Sequence, residues 1–203
     1  MRNGELDLDG LNSHAQAKLY EDLDYLQIPV PEKQREITAI KKPFDKISPG
    51  AVLSGKSFTT SSHGFQTAYT KAYADQDCWY YEIVVVTRKY TGSVRIGIAN
   101  SRWSALDFVG RSENSLSICS TNSLNGLVNE EREFTGTQWP SSVVVGVLFD
   151  RTRALVRFYV NRTYAEQVSD IPNPEDWFPA LSIGYQDTIT FSSAVKLPTD
   201  YTL

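Results

Sequence analysis

Val143 to Phe149 reads Val-Val-Val-Gly-Val-Leu-Phe, seven residues with no polar side chain on either face. At that length it cannot cross a bilayer, which takes about 20 residues as a helix. Its run of valines is stiff at χ1 and favours the pleated over the helical backbone. A strand that is apolar on both faces must be covered on both, so this segment reads as a central strand sandwiched between layers. Trp79–Thr87 (Trp-Tyr-Tyr-Glu-Ile-Val-Val-Val-Thr) is a second β-branched and aromatic run. Ser93–Asn100 alternates Val94, Ile96 and Ile98 with Arg95, Gly97 and Ala99, a period of two. Ala154–Val160 follows the polar turn Asp150-Arg151-Thr152-Arg153, and a second turn, Asn161-Arg162-Thr163, leads into another short strand. Phe178–Ile183 and Thr188–Ser192 close the series. Short strands with turn signals every eight to twelve residues, and no helix alternating with them, predict an all-β fold, a bent antiparallel two-sheet sandwich.

A chain of 203 residues buries roughly 70% of its unfolded surface and needs neither disulfide nor structural metal to hold a core. Twenty Lys+Arg stand against twenty-four Asp+Glu with no basic stretch, which argues against nucleic acid or an anionic membrane as partner. The two histidines, His14 and His63, and the two cysteines, Cys78 and Cys119, lie far apart, so no metal or cofactor is expected and the cysteines read as small, partly buried hydrophobes. The first residues, Met-Arg-Asn-Gly-Glu-Leu-Asp, lack the apolar core of a signal peptide, and the expected location is intracellular. The richer signal is aromatic: eleven Tyr, nine Phe and four Trp, a composition that suits sheets and binding surfaces.

Before residue 50 the character differs. Ala15, Leu19, Leu23 and Leu26 recur at helical spacing behind Asn12 or Ser13 as an N-cap, predicting a short α-helix. Pro29 and Pro31 end it, Glu32–Lys46 reads as a linker or exposed helix, and Pro49-Gly50 punctuates the boundary. The expected organisation is an N-terminal appendage over residues 1–49 and a sandwich over 50–203.

The ordered set of strand motifs resembles the SPRY domain family. Cys78-Trp79-Tyr80-Tyr81-Glu82-Ile83 followed by Val94-Arg95-Ile96-Gly97-Ile98-Ala99 is similar to that family's opening strands. Gly110-Arg111-Ser112-Glu113-Asn114-Ser115 resembles its glycine, acidic and serine segment. Val145–Asp150, with Leu155 and Phe158-Tyr159-Val160-Asn161, is similar to its late hairpin, and Phe178–Ile183 with Ile189-Thr190-Phe191 to its closing pair. The likeness runs over about residues 55–193. Two positions depart: Leu116 stands where a tryptophan is common, and Arg162 where a glycine usually follows the hairpin asparagine.

The resemblance implies a binding module without enzymatic activity, whose loops on a rigid scaffold form a recognition surface for a protein or peptide partner. Alignment with peptide-binding members places Tyr69, Trp103 and the pair Gly184-Tyr185 near that surface, with Arg102 as a hydrogen-bonding flank. Trp79, Trp139 and Trp177 read instead as packing residues. An acid pair drawn from Asp107, Glu113 and Asp150 is the enzymatic alternative, but Asp150 sits in a turn where Asp bonds locally and Glu113 lies in a polar loop. No Gly-x-Ser-x-Gly turn is present. A carbohydrate-binding, lectin-like sandwich is the second reading, with Asn122–Asn125 as a loop for calcium or hydroxyl groups.

Arg2-Asn3-Gly4-Glu5-Leu6 and Leu19-Tyr20-Glu21-Asp22-Leu23-Asp24-Tyr25-Leu26-Gln27-Ile28-Pro29 resemble the end of a potassium-channel-tetramerisation-type BTB domain. That likeness, over about residues 2–31, implies an oligomerising adaptor upstream and recruitment to a cullin-type ubiquitin ligase scaffold.

Overall fold

The computed structural model describes residues 36–203 except 42–43, 88–92, 121–122, 127–129, 134–138, 141, 173–175, 193 and 203, and only the backbone of 87, 123–126 and 130–133. This is the second of the two units into which the chain divides, Glu36–Leu203. The helix expected over residues 12–26 and the BTB-like motifs lie outside the described residues.

The described residues form β1 (Thr38–Ile40), β2 (Lys46–Ile47), β3 (Ala51–Ser54), β4 (Ser57–Thr60), β5 (Gln66–Tyr69), β6 (Cys78–Thr87), β7 (Val94–Ala99), β8 (Ser115–Cys119), β9 (Ser123–Gly126), β10 (Glu130–Glu133), β11 (Val143–Asp150), β12 (Leu155–Val160), β13 (Thr163–Val168), β14 (Phe178–Ile183) and β15 (Thr188–Phe191). The first sheet runs β13-β12-β11-β6-β15-β4-β3, with β1 also paired to β6; the second runs β10-β9-β8-β7-β14-β5-β2. All pairings are antiparallel except β1 with β6. The all-β, two-sheet architecture expected from the motif series therefore stands.

The period-two rule assigns the faces. On β6, Trp79, Tyr81, Ile83 and Val85 point between the sheets and meet Val145, Val147 and Phe149 of β11 and Ile96, Ile98, Leu116, Ile118, Leu181 and Ile183 of the second sheet in one core. Tyr81 crosses that core to donate its phenol to the Gly97 carbonyl. Complete burial holds its pKa well above the ordinary tyrosine value. Trp79, Trp139 and Trp177 are all buried, as their sequence positions suggested, and Leu116 is buried in the core.

The stretch 32–46, expected to be a linker or exposed helix, is corrected where it is described. Residues 38–40 pair in parallel with β6, residues 46–47 pair with β5, and the Phe44 side chain is wholly buried against Tyr81 and Phe191. The sandwich therefore takes in strands ahead of the Pro49-Gly50 punctuation. Their brevity, three residues and two, hides any periodicity from the sequence.

The outer face of the first sheet is sealed by the chain's last residues. Cys78, Tyr80, Leu148, Leu155, Tyr159 and Tyr201 form a second buried cluster, flanked by Ile37 and Val195. Gly146 makes room for it, since a Cβ there would collide with the Tyr80 ring. The Tyr201 hydroxyl donates to Asp150 Oδ2 at 2.7 Å, while Arg153 and Arg157 lie over the Tyr201 ring.

Candidate functional site

On the second sheet the outward row is built of small residues. The register aligns Tyr69, Ala180, Gly97 and Ser117 across β5, β14, β7 and β8, and beside them Thr67, Ser182, Arg95 and Cys119. Gly97, Ser117, Ala180 and Ser182 leave a trough, and the loop 100–114 lies in it. The hydroxyls in the trough satisfy that loop's backbone. Thr67 Oγ1 donates to the Ala105 carbonyl at 3.1 Å and Ser117 Oγ to the Val109 carbonyl at 3.0 Å. The Val109 N–H donates to Ser182 Oγ and the Gly110 N–H to Ser115 Oγ, both at 2.9 Å. A surface loop would otherwise present unpaired backbone groups to the sheet, so these four bonds hold it in one geometry.

Trp103 is the plug. It is 8% exposed and packs with Ala99, Val109, Phe178 and Ala180. Its ring meets Tyr69 edge-on at 5.8 Å. The expectation that it is an exposed aromatic contact is corrected: an indole over a floor of small residues is buried by their smallness. Tyr69 is half-buried between Trp103 and Phe178. Arg102 is exposed beside Trp103, its N–H donating to Asn100 Oδ1 at 3.0 Å.

Gly184 and Tyr185 lie at the far end of the trough. The buried Gly184 N–H donates to the Ser93 carbonyl at 2.9 Å and lies 3.2 Å from Asp187 Oδ2. A side chain at 184 would press on the Ser93 Cβ, which explains a glycine there. The turn presents Tyr185 half-exposed, with its ring stacked on exposed His63 at 4.5 Å and 21°. Tyr69, Trp103 and Arg102 thus share one end of the loop layer, and Gly184 and Tyr185 the other.

Between the two ends lie residues that the sequence reading did not single out. Phe65 and Phe108 are half-buried with centroids 4.7 Å apart, and the Arg95 guanidinium stands 4.5 Å from the Phe108 centroid and 5.6 Å from that of Phe65. Arg111 approaches Phe108 from the rim and is paired with Asp107 at 3.0 Å. Leu106 is 97% exposed, held out on a turn closed by the Asp107 N–H donating to the Ser104 carbonyl at 2.9 Å. One signal for Arg95 existed. It is the large residue among the outward positions of the 94–99 alternation, the others being Gly97 and Ala99.

The family model described as "SPRY domain" matches residues 78–194, more than half of the chain. The chain belongs to the SPRY family. No curated protein matches it in sequence. In fold it is similar to a human SPRY domain crystal structure (15% identity, TM-score 0.62, covering 75% of this chain and 100% of that one). It is likewise similar to the SPRY domain of human HERC1 (14% identity, TM-score 0.61, 76% and 99%). The TRIM65 PSpry domain aligns over more of it (16% identity, TM-score 0.58, 87% and 98%).

Within the SPRY frame, Arg162 has a local explanation. Asn161 and Arg162 form the two-residue loop between β12 and β13 with φ of 51° and 65°. A glycine would take the second position without strain. Arg162 instead puts Nε and Nη2 at 3.0 and 3.1 Å from the two carboxylate oxygens of Glu82, whose side chain is fully buried. That bidentate pair offsets a left-handed backbone cost of about 1–2 kcal/mol.

Two of the three carboxylates of the enzymatic alternative are engaged by other groups. Asp107 pairs with Arg111, Glu113 is exposed on the loop, and buried Asp150 accepts from the Arg153 N–H and the Tyr201 hydroxyl. Among the described residues no three His, Cys, Asp or Glu side chains are grouped to hold a metal ion. The expected loop Asn122–Asn125 is corrected where it is described: residues 123–125 lie in strand β9, paired with β8 and β10, and Asn122 lies outside the described residues.

Proposed function

We propose that this SPRY sandwich is a non-enzymatic protein-interaction module that takes a short peptide or partner surface along the ridge from Leu106 to Tyr185. SPRY domains are protein-interaction modules as a family. The observation that carries the reading here is the loop 100–114. Four backbone bonds fix it to the sheet, yet it holds a nearly fully exposed leucine outward beside half-exposed aromatics and arginines. Rigid apolar anchors ringed by Arg are the composition of interface hot spots. Of the residues expected at the surface, Tyr185 and Arg102 act as contacts, Tyr69 adds to them, and Gly184 and Trp103 shape the ridge.

Panning a displayed random-peptide library against the chain tests this. The wild type enriches defined peptides, and the double variant Leu106→Ser with Tyr185→Ala loses them at least about tenfold at an unchanged melting temperature. Equal enrichment by the folded double variant removes the ridge from the reading.

The wider architecture rests on the motifs of residues 2–31. We propose that they are the end of a BTB domain, so that the longer polypeptide oligomerises and brings the ridge's partner to a cullin-type ubiquitin ligase inside the cell. The partner is then protein, not nucleic acid or membrane, and no cofactor is required. Co-purification of the longer polypeptide with a cullin scaffold supports this; a monomer that ignores the scaffold overturns it.

A further inference from the structure

The Arg95 guanidinium, with the Trp103 indole N–H, is what the ridge's packing leaves without a partner, and of the two it carries a charge. Its Nε and Nη1 are enclosed by protein yet reach no acceptor, whereas neighbouring Arg111 is paired with Asp107 at 3.0 Å. The two aromatic planes beside it hold the guanidinium in place but cannot accept its hydrogen bonds in the plane of the fork. A buried donor set without an acceptor is unfavourable in the free protein and becomes favourable when a planar anion meets it.

Its position suits a ligand. Arg95 lies opposite Ser182 in the register, two residues before the Gly184-Tyr185 turn on that strand. Phe65 immediately precedes β5, whose Gln66 pairs with Ile183, so Phe65 adjoins the same turn. The side chain as a whole is half-buried and Nη2 is not among its enclosed nitrogens, so it is through Nη2 that the stacked cation opens toward the ridge between Tyr185 and the Leu106 turn.

We infer that Arg95 is a specificity residue that takes a carboxylate, the side chain of an Asp or Glu in the bound peptide, with that peptide's apolar neighbours lying over Phe65 and Phe108. This rests on the peptide-binding reading and names the partner's chemistry within it. A carboxylate fits better than a phosphate group because the site offers one uncommitted guanidinium. The next cation, Arg111, is already neutralised by Asp107.

The test uses the whole chain and three capped peptide libraries of randomised apolar and aromatic residues around one fixed position, Glu, Gln or phosphoserine. The wild type captures the Glu library at least about tenfold better than the Gln library, and Arg95→Gln brings the two level. A Glu preference that survives in Arg95→Gln, or equal capture of Glu and Gln by the wild type, overturns the role of Arg95 alone. Preference for phosphoserine overturns the carboxylate, and capture of none overturns the peptide reading with it. Arg95→Met supplies a ligand-free arm. The free chain keeps or raises its melting temperature when the unpaired cation becomes a thioether against the same rings. A clear fall marks Arg95 as structural and overturns the inference.

Discussion

The two outer faces of this sandwich solve the same problem in opposite ways. Both sheets need cover on the side away from the core, because both present buried residues there. The first sheet uses large side chains and closed polar pairs: Tyr80, Tyr159 and Tyr201 pack together, Asp150 meets Tyr201, and Glu82 meets Arg162. The second uses small residues under a loop, and its cation Arg95 meets aromatic rings and no acceptor. Two polar pairs close on that first face, although the buried Tyr159 hydroxyl among them reaches no partner. The second face instead holds apolar and cationic groups outward on fixed backbone.

The sharpest way to break this contrast is at Trp103. Trp103→Ala removes the plug from the small-residue trough and costs about 3–5 kcal/mol, read by urea unfolding, because the rigid sheet beneath cannot collapse into the space. A loss below about 1 kcal/mol means that the loop stands without its plug and that the second face is not built as described.

Next is the closed pair on the first face. Glu82→Gln leaves Arg162 in a left-handed conformation without its carboxylate and weakens the bond to the Tyr80 hydroxyl, at 3.1 Å. The expected loss is about 2–3 kcal/mol. Adding Arg162→Gly recovers much of it, since the turn then takes the residue its φ favours. A double variant no better than Glu82→Gln alone shows that the pair is not what holds Arg162 there.

A pH titration separates the faces more finely. Burial first, and then the bond to Asp150, raises the Tyr201 phenol from 10.0 to about 12. The unfolded chain therefore loses this proton before the folded chain does. The stability tied to the neutral phenol is complete below pH 10 and falls away as the pH rises through about 12. Tyr201→Phe makes the alkaline loss measured by thermal melts shallower, and costs about 1 kcal/mol at neutral pH through the hydrogen bond to Asp150. An alkaline slope identical to that of the wild type removes Tyr201 from the seal.

The smallest effect on stability belongs to the open face. Leu106→Ser changes unfolding free energy by less than about 0.5 kcal/mol, because a side chain 97% exposed loses no burial. If that substitution destabilises the chain by more than this, the leucine is packed and the second face is not open at the turn.

Much of the scaffold was legible from residue patterns alone. The alternation at 94–99 placed Val94, Ile96 and Ile98 inward, and the doubly apolar run at 143–149 lies in the middle of the first sheet. The turn at Asn161-Arg162 was legible as well, though its ion pair to Glu82 was not, because the two residues are 80 positions apart. The site was legible only in part. Tyr185 emerges half-exposed after its strand as expected, whereas Trp103 does not, since nothing near position 103 tells that Gly97, Ser117 and Ala180 will lie beneath it.

What the sequence by itself determined is the strand alternation, and with it which side chains face the core, because the side-chain period of two is a local property of the backbone. It also set the chemistry available, with many aromatics and few histidines or cysteines. Only the tertiary structure decided which outer face is closed and which is open. That depends on register between distant strands, which put a carboxylate against Arg162 and only aromatic rings against Arg95.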